Sequence, residues 1–164
     1  MTAQIYVGLG SNTDREAKIC QAVMALRENF GEVELSPVYN SAAVGFDGSD
    51  FLNLVAGIET SLGIEDAVDI FRDIEDRLGR DRTQPKFASR PIDLDILIYD
   101  DLILDRPGIQ VPRSEILQNA FVLRPLQDIA GDRLHPQVKK SYAELWRLMS
   151  ADAPRLELFP LNLD

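Results

Sequence analysis

Asp93 and Asp95 stand two residues apart in Arg90-Pro91-Ile92-Asp93-Leu94-Asp95-Ile96. The stretch Asp93 to Tyr99 is rich in β-formers and reads as a strand, on which side chains at i and i+2 share a face. The two carboxylates therefore sit side by side, while Leu94 and Ile96 turn toward a core. Adjacent carboxylates repel and call for a cation, and oxygen ligands of this kind suit magnesium, which takes one or two carboxylates plus substrate phosphates. Such a pair alone reads more readily as a solvated strand surface. The surroundings tip the balance: Arg72, Arg77, Arg80, Arg82, Lys86 and Arg90 are six of the chain's 17 basic residues, gathered just before the aspartates. Arg72 and Arg77 fall on a helix and read as well as a solvated face. From Arg80 to Arg90 the cluster leaves the helix for a loop, where phosphate contacts are the better reading.

A second pair comes from Phe51-Leu52-Asn53. Phe51 and Asn53 share a strand face, putting an aromatic plane beside an amide with donors and an acceptor, which fits a flat heterocycle with an amide-like edge. Gly8-Leu9-Gly10 lacks the third glycine of a dinucleotide fingerprint, and the chain lacks βαβ alternation. These glycines read as a tight strand exit with close backbone approach. No Walker A lysine motif occurs. His135, the only histidine, lies in a Leu-His-Pro turn and reads as structural. Cys20, the only cysteine, falls in an amphipathic helix, so neither a disulfide nor a cysteine-based zinc cage is available within the chain.

The elements that must position these residues follow from periodicity and breakers. Gln4 to Leu9 alternates as a strand. Thr13 to Glu16 has the form of a capping box, followed by a helix with Ile19, Val23, Leu26 and Phe30 at helical spacing. Glu32 to Ser41 reads as one strand, Gly45 to Asp50 as a loop, and Asn53 to Thr60 as the next strand. Ile64 to Leu78 is a helix with Ala67, Val68, Phe71, Ile74 and Leu78 on one face. Gly79 to Pro91 is a long loop, and long loops in compact domains are usually functional. Within it Arg82 to Ser89, together with Gly45 to Asp50, reads as a lid that closes over bound substrates. After Asp100 the chain reads as irregular, with a short helix at Ser114 to Gln118, a longer one at Ser141 to Met149, and an edge strand within Arg155 to Leu161. Strand, helix, strand, strand, helix, strand is the order of a ferredoxin-like plait. The expected class is α+β: a mainly antiparallel sheet with helices packed on one face, built as a single domain over residues 1–164.

The net charge of −10 argues against a nucleic-acid binder. No basic leader precedes an apolar run at the N-terminus, and no segment reaches the ~18 apolar residues of a membrane span. A cytoplasmic monomer that contacts neither membrane nor nucleic acid is expected.

Several separated motifs in order also carry a resemblance. They are Val7-Gly8-Leu9-Gly10-Ser11-Asn12, Ser36-Pro37-Val38-Tyr39, Asp50-Phe51-Leu52-Asn53, Ile74-Glu75 with Leu78-Gly79-Arg80, the Arg90 to Leu97 segment, Val111-Pro112, and Phe121-Val122-Leu123-Arg124-Pro125-Leu126. With these motifs the chain resembles the 6-hydroxymethyl-7,8-dihydropterin pyrophosphokinases along nearly its whole length. The resemblance implies transfer of a diphosphate from ATP to the hydroxymethyl group of the dihydropterin, with release of AMP, in folate biosynthesis. It implies two magnesium ions held by Asp93 and Asp95, with Arg80 and Arg90 steadying charge on the migrating group. It puts the pterin with Asn53, between Phe51 and Phe121, against backbone from Ser41 to Val44. It places the nucleotide near Arg72, Glu75, Arg82, Ile96, Gln110 and Arg113.

The chain departs from that family pattern in places. Lys86-Phe87-Ala88-Ser89-Arg90 stands for the usual Arg-Trp-Gly-Pro-Arg, Arg113 for a histidine, and Asn119-Ala120 for Arg-Gly or a close variant. Weaker ATP binding is the expected consequence. The competing reading is a diverged paralogue that binds pterin or nucleotide with little or no catalysis.

Overall fold

The computed structural model describes residues 1–43, 48–80, 83 and 90–164. Strand β1 (Ala3–Ser11) sends Ile5, Val7 and Leu9 into one core and turns Tyr6, Gly8 and Gly10 to the opposite face. Helix α1 (Arg15–Phe30) buries Ile19, Ala22, Val23 and Leu26, one stripe at helical spacing. It ends at Gly31, whose positive φ of 82° lets its N–H turn back to the Arg27 carbonyl. Strands β2 (Val33–Leu35), β3 (Tyr39–Ser41) and β4 (Phe51–Thr60) follow, then α2 (Ile64–Arg77) and β5 (Asp93–Tyr99). All pairings in this sheet are antiparallel, in the order β5-β1-β4 with β2 and β3 both on the far edge of β4. That is the split arrangement expected of a ferredoxin-like plait.

Several expectations change in the folded chain. The helix starts one residue later than a capping box at Thr13 requires, with Asp14 at the N-cap in left-handed geometry and no side-chain cap bond. The turn is committed elsewhere: Asn12 is tied to Arg90 and Ser49. The single strand Glu32 to Ser41 is broken. Leu35 pairs with Ala56 and Tyr39 with Asn53, so this side carries one residue more than β4. Pro37 has no N–H for a ladder, and Ser36 fills the gap by bonding Val55 through its N–H and its hydroxyl.

The region after Asp100 is not irregular. It contains a hairpin, β6 (Leu104–Arg106) with β7 (Ile109–Val111), a 3₁₀ turn (Ser114–Leu117), and α3 (Ala120–Ala130). Pro125 inside α3 is what disguises that helix. An interior proline costs roughly 3 kcal/mol. Full burial of Leu123 and Leu126, at about 1.5–3 kcal/mol each, outweighs it. Helix α4 (Tyr142–Ser150) packs beside α3, with Ser141 accepting from the Glu144 N–H as its cap. The tail adds β8 (Glu157–Leu158) to the edge at β3.

Helices therefore cover both faces rather than one. The α1/α2 side holds the larger core. On the other side Tyr6, Val55, Leu97 and Ile98 pack with Leu123, Leu126 and Tyr142. Leu97 and Ile98 can both face α3 and α4 because β5 carries one extra residue there: Tyr6 pairs with Ile98 and Val7 with Ile96. His135 is buried, and its Nδ1 accepts the N–H groups of Gln137 and Val138, a purely structural turn. Among the described residues no helix is long and apolar enough to cross a membrane.

Candidate active site

The sheet register builds the site. Gly10 lies opposite Asp93 on one side and Asn53 on the other, and Asn53 lies opposite Tyr39. In the next row of the same face, Gly8 lies between Asp95 and Val55. Directly opposed residues point to the same side of a sheet, so the two aspartates and the amide flank a floor that carries no side chains. Both glycines are interior to β1, not at its exit. A Cβ on Gly10 would stand 3.0 Å from Asn53 Oδ1, whereas one on Gly8 would make ordinary contact with Leu97 at 3.6 Å.

Over this floor is a cavity of about 330 Å³, just beyond the N-terminus of α3. Its wall brings together Arg80, Arg90, Asp93, Asp95 and Arg113 at one end. Ser41, Phe51, Asn53 and Phe121 line it as well, with Glu115 and Asn119 from the 3₁₀ turn and the start of α3. A cavity of this size, with apolar rings and a few convergent polar groups, suits a small-molecule site.

Each polar group is held from behind. Arg80 Nη1 pairs with Asp93 Oδ1 and lies 3.3 Å from Glu75 Oε2. Arg90 Nη1 is 3.4 Å from the same Asp93 oxygen. The Arg90 backbone is clamped by Asn12, whose Oδ1 accepts the Arg90 N–H at 2.6 Å and whose own N–H donates to the Arg90 carbonyl. Asn53 Nδ2 donates to Ser41 Oγ at 2.7 Å, which fixes the amide against the floor. Asp95 is recessed, although its side chain remains 42% exposed to the cavity. Burial pushes its carboxyl up to about 7 from an ordinary 3.8; Arg113 opposes this, and Asp93, Glu115 and Glu75 add to it. An aspartate so reluctant to ionise beside a second aspartate fits a cation site. Two carboxylates with no third acidic, histidine or cysteine ligand grouped with them among the described residues suit magnesium completed by substrate phosphates.

The residues assigned to a nucleotide are less gathered. Arg113 lines the cavity, but Arg72, Glu75, Ile96 and Gln110 do not. Arg72 Nη2 donates to the Gly108 carbonyl and holds the β6–β7 turn against α2. Gln110 Oε1 accepts the Ser114 N–H and shapes the 3₁₀ turn. The Ile96 side chain is in the α1/α2 core, so only its backbone is open to a ligand. Glu75 is 4% exposed and its Oε2 accepts the Leu94 N–H at 2.8 Å, so it braces β5 and Arg80 from inside. Arg77 pairs with Asp73 on the solvated helix face. Val44 and Arg82 lie outside the described residues, as do most of the two segments read as lids.

Sequence reasoning missed the roles of Gly8, Gly10, Asn12 and Glu115. The signal for the glycines was present: on a strand Gly8 and Gly10 share a face by the same two-residue period that pairs Asp93 with Asp95. Nothing local announces Asn12, whose partners Arg90 and Ser49 lie far along the chain; Glu115 takes partners close in sequence, Arg113 and Asn119, and only the fold shows that all three line the cavity.

With that geometry in hand, the comparisons are specific. The model of the 7,8-dihydro-6-hydroxymethylpterin-pyrophosphokinase family matches residues 6–131. The 2-amino-4-hydroxy-6-hydroxymethyldihydropteridine pyrophosphokinase of Pseudomonas aeruginosa is 38% identical over 136 residues, covering 80% of this chain and 83% of that protein. Its counterpart in Aquifex aeolicus is 36% identical over 145 residues, covering 87% and 89%. The folic acid synthesis protein fol1 of Pneumocystis carinii is 34% identical over 142 residues, of which this chain spans only 19%. Among solved structures, a Plasmodium falciparum HPPK-DHPS triple mutant with pteroate superposes with a TM-score of 0.72. It covers 92% of this chain and 44% of that one, at 13% identity, a likeness of fold.

Proposed function

Since this chain belongs to the 7,8-dihydro-6-hydroxymethylpterin-pyrophosphokinase family, we propose that the cavity over Gly8 and Gly10 is where its diphosphate transfer takes place. The activity is that of a folate-biosynthesis pyrophosphokinase: a diphosphate passes from ATP to the hydroxymethyl group of the dihydropterin, and AMP leaves. The observation that carries the site is the single row Asp93–Gly10–Asn53, which spaces a charged end from an amide end across a bare floor.

In this reading the flat pterin rests near Gly10 with its amide-like edge on Asn53 and Ser41. Phe51 and Phe121 supply apolar surface, and the hydroxymethyl arm points toward the aspartates. Asp93 and Asp95 would hold magnesium, two ions in the full proposal, which would supply positive charge to the ATP phosphates and to the entering hydroxymethyl oxygen. Arg80 and Arg90, which already converge on Asp93, turn their remaining N–H groups to the migrating diphosphate. Arg113 lines the same end of the cavity beside Asp95. Positioning and fixed charge carry the catalysis. The protein would work as a monomeric single domain in the cytoplasm. A binding-only paralogue is not favoured, because the named relatives are pyrophosphokinases and the charged set is intact.

The test is direct. The purified chain, given ATP, magnesium and 6-hydroxymethyl-7,8-dihydropterin, should release AMP and form the pterin diphosphate, detected by ion-pair chromatography. Release of ADP, or AMP formation independent of the pterin, would sink this assignment.

A further inference from the structure

Arg113 stands between two carboxylates. Its backbone N–H is anchored on the Leu97 carbonyl at 2.9 Å, at the extra residue of β5. Its side chain then crosses the cavity wall. Nε and Nη2 both reach Glu115 Oε1, at 2.8 and 2.6 Å, while Asp95 Oδ2 is 3.8 Å from Nη2. The same guanidinium nitrogen therefore has a choice of partners and is held by Glu115. Glu115 is itself fixed: it sits in the 3₁₀ turn, its carbonyl accepts the Asn119 N–H, and its second carboxylate oxygen lies 3.4 Å from Asn119 Nδ2.

A carboxylate in the wall of a phosphate site repels the substrate unless its charge is covered. Two donated bonds from Arg113 cover it. In return Arg113 is drawn closer to Glu115 than to Asp95, with which it keeps only a long contact of 3.8 Å. Without Glu115 the nearest carboxylate for this guanidinium is Asp95, and charge-assisted pairing there would place an arginine where a cation must bind. We propose that Glu115 is a positioning residue for the transfer reaction: it holds Arg113 off Asp95, leaving that aspartate to the metal and the arginine to the phosphates.

This inference rests on the reading of Asp93 and Asp95 as metal ligands, and the experiment separates the two. Mn²⁺ binding is measured by electron paramagnetic resonance in the presence of α,β-methylene-ATP, which cannot transfer its diphosphate. Variants are E115A, E115Q, R113A, the double E115A/R113A, and D95N, with circular dichroism to check folding. E115A should weaken Mn²⁺ binding about tenfold, the scale of one charge-assisted contact. Removing Arg113 as well should return Mn²⁺ affinity to within about twofold of R113A alone, because the competitor is gone. E115Q keeps an acceptor for Arg113 and should lose less than E115A. The proposal is overturned if E115A binds Mn²⁺ like the wild type while D95N does not, or if the double variant stays as weak as E115A. If D95N binds as tightly as the wild type, the metal reading falls and this proposal with it.

Discussion

Replacing Gly10 with alanine tests the floor of the site with one methyl group. Gly10 lies in regular strand between Asp93 and Asn53, so alanine meets no backbone penalty. The new Cβ would stand 3.0 Å from Asn53 Oδ1 and 3.8 Å from the Phe51 ring. Asn53 must yield by a few tenths of an ångström, yet its Nδ2 is tied to Ser41 Oγ at 2.7 Å in a buried bond. Disturbing that amide, or crowding the surface on which the ring rests, costs about 1–3 kcal/mol. The expected loss in pterin affinity is thus roughly 5- to 150-fold. Folding stability should fall by less than that cost, since alanine also restricts the unfolded chain by about 0.4–1 kcal/mol. Calorimetric titration with 6-hydroxymethylpterin in the presence of magnesium and α,β-methylene-ATP measures the first effect, and thermal melting measures the second. Nucleotide binding without pterin should be unchanged. Gly8→Ala is the internal comparison: its Cβ meets only Leu97 at an ordinary 3.6 Å, and the pterin loss should be smaller. If Gly10→Ala bound pterin within twofold of the wild type, the ring would not lie on this floor.

Other outcomes follow from the same geometry. Asp93→Asn should lower turnover by several orders of magnitude with an unchanged circular dichroism spectrum, because it removes the proposed metal ligand and the shared partner of Arg80 and Arg90; near-normal turnover at saturating magnesium would remove Asp93 from the chemistry. Asp95→Asn should do the same to turnover yet stabilise the metal-free protein. The Asp95 carboxyl is raised to about 7 in the fold, so the folded state holds a proton that the unfolded chain has released above about pH 4. Stability from this group therefore falls as pH rises toward 7, and the melting-temperature advantage of Asp95→Asn should grow from pH 5 to pH 8. An advantage independent of pH would mean that Asp95 ionises normally. Asn119→Arg adds a cation at the cavity wall beside Glu115 and should tighten ATP-analogue binding with pterin affinity nearly unchanged. No gain in calorimetry would show that this position does not face the triphosphate.

Much of this protein is decided by patterns that act over a few residues. The two-residue period of a strand puts Asp93 with Asp95 and Phe51 with Asn53 on shared faces whatever else the chain does. The helical spacing of Ala67, Val68, Phe71 and Ile74 defines α2 and its buried side. The order of elements to Tyr99 is enough to name the plait, since its strand pairings follow from short connections. Tertiary structure decided the rest, for identifiable reasons. Helix α3 exists against its own Pro125 because the sheet offers a second apolar face for Leu123 and Leu126. The Thr13 capping box is set aside because Asn12 is needed to clamp Arg90, a partner far along the chain. Glu75 and Glu115 look alike as isolated carboxylates. One is buried and accepts the Leu94 N–H of β5, while the other opens on the cavity and pairs with Arg113, and that difference comes from where each element sits over the sheet. Local periodicity is a property of backbone geometry and can be read from spacing. Partner choice among charged side chains depends on distances between elements, and those are set only when the sheet register and the helices over it are in place.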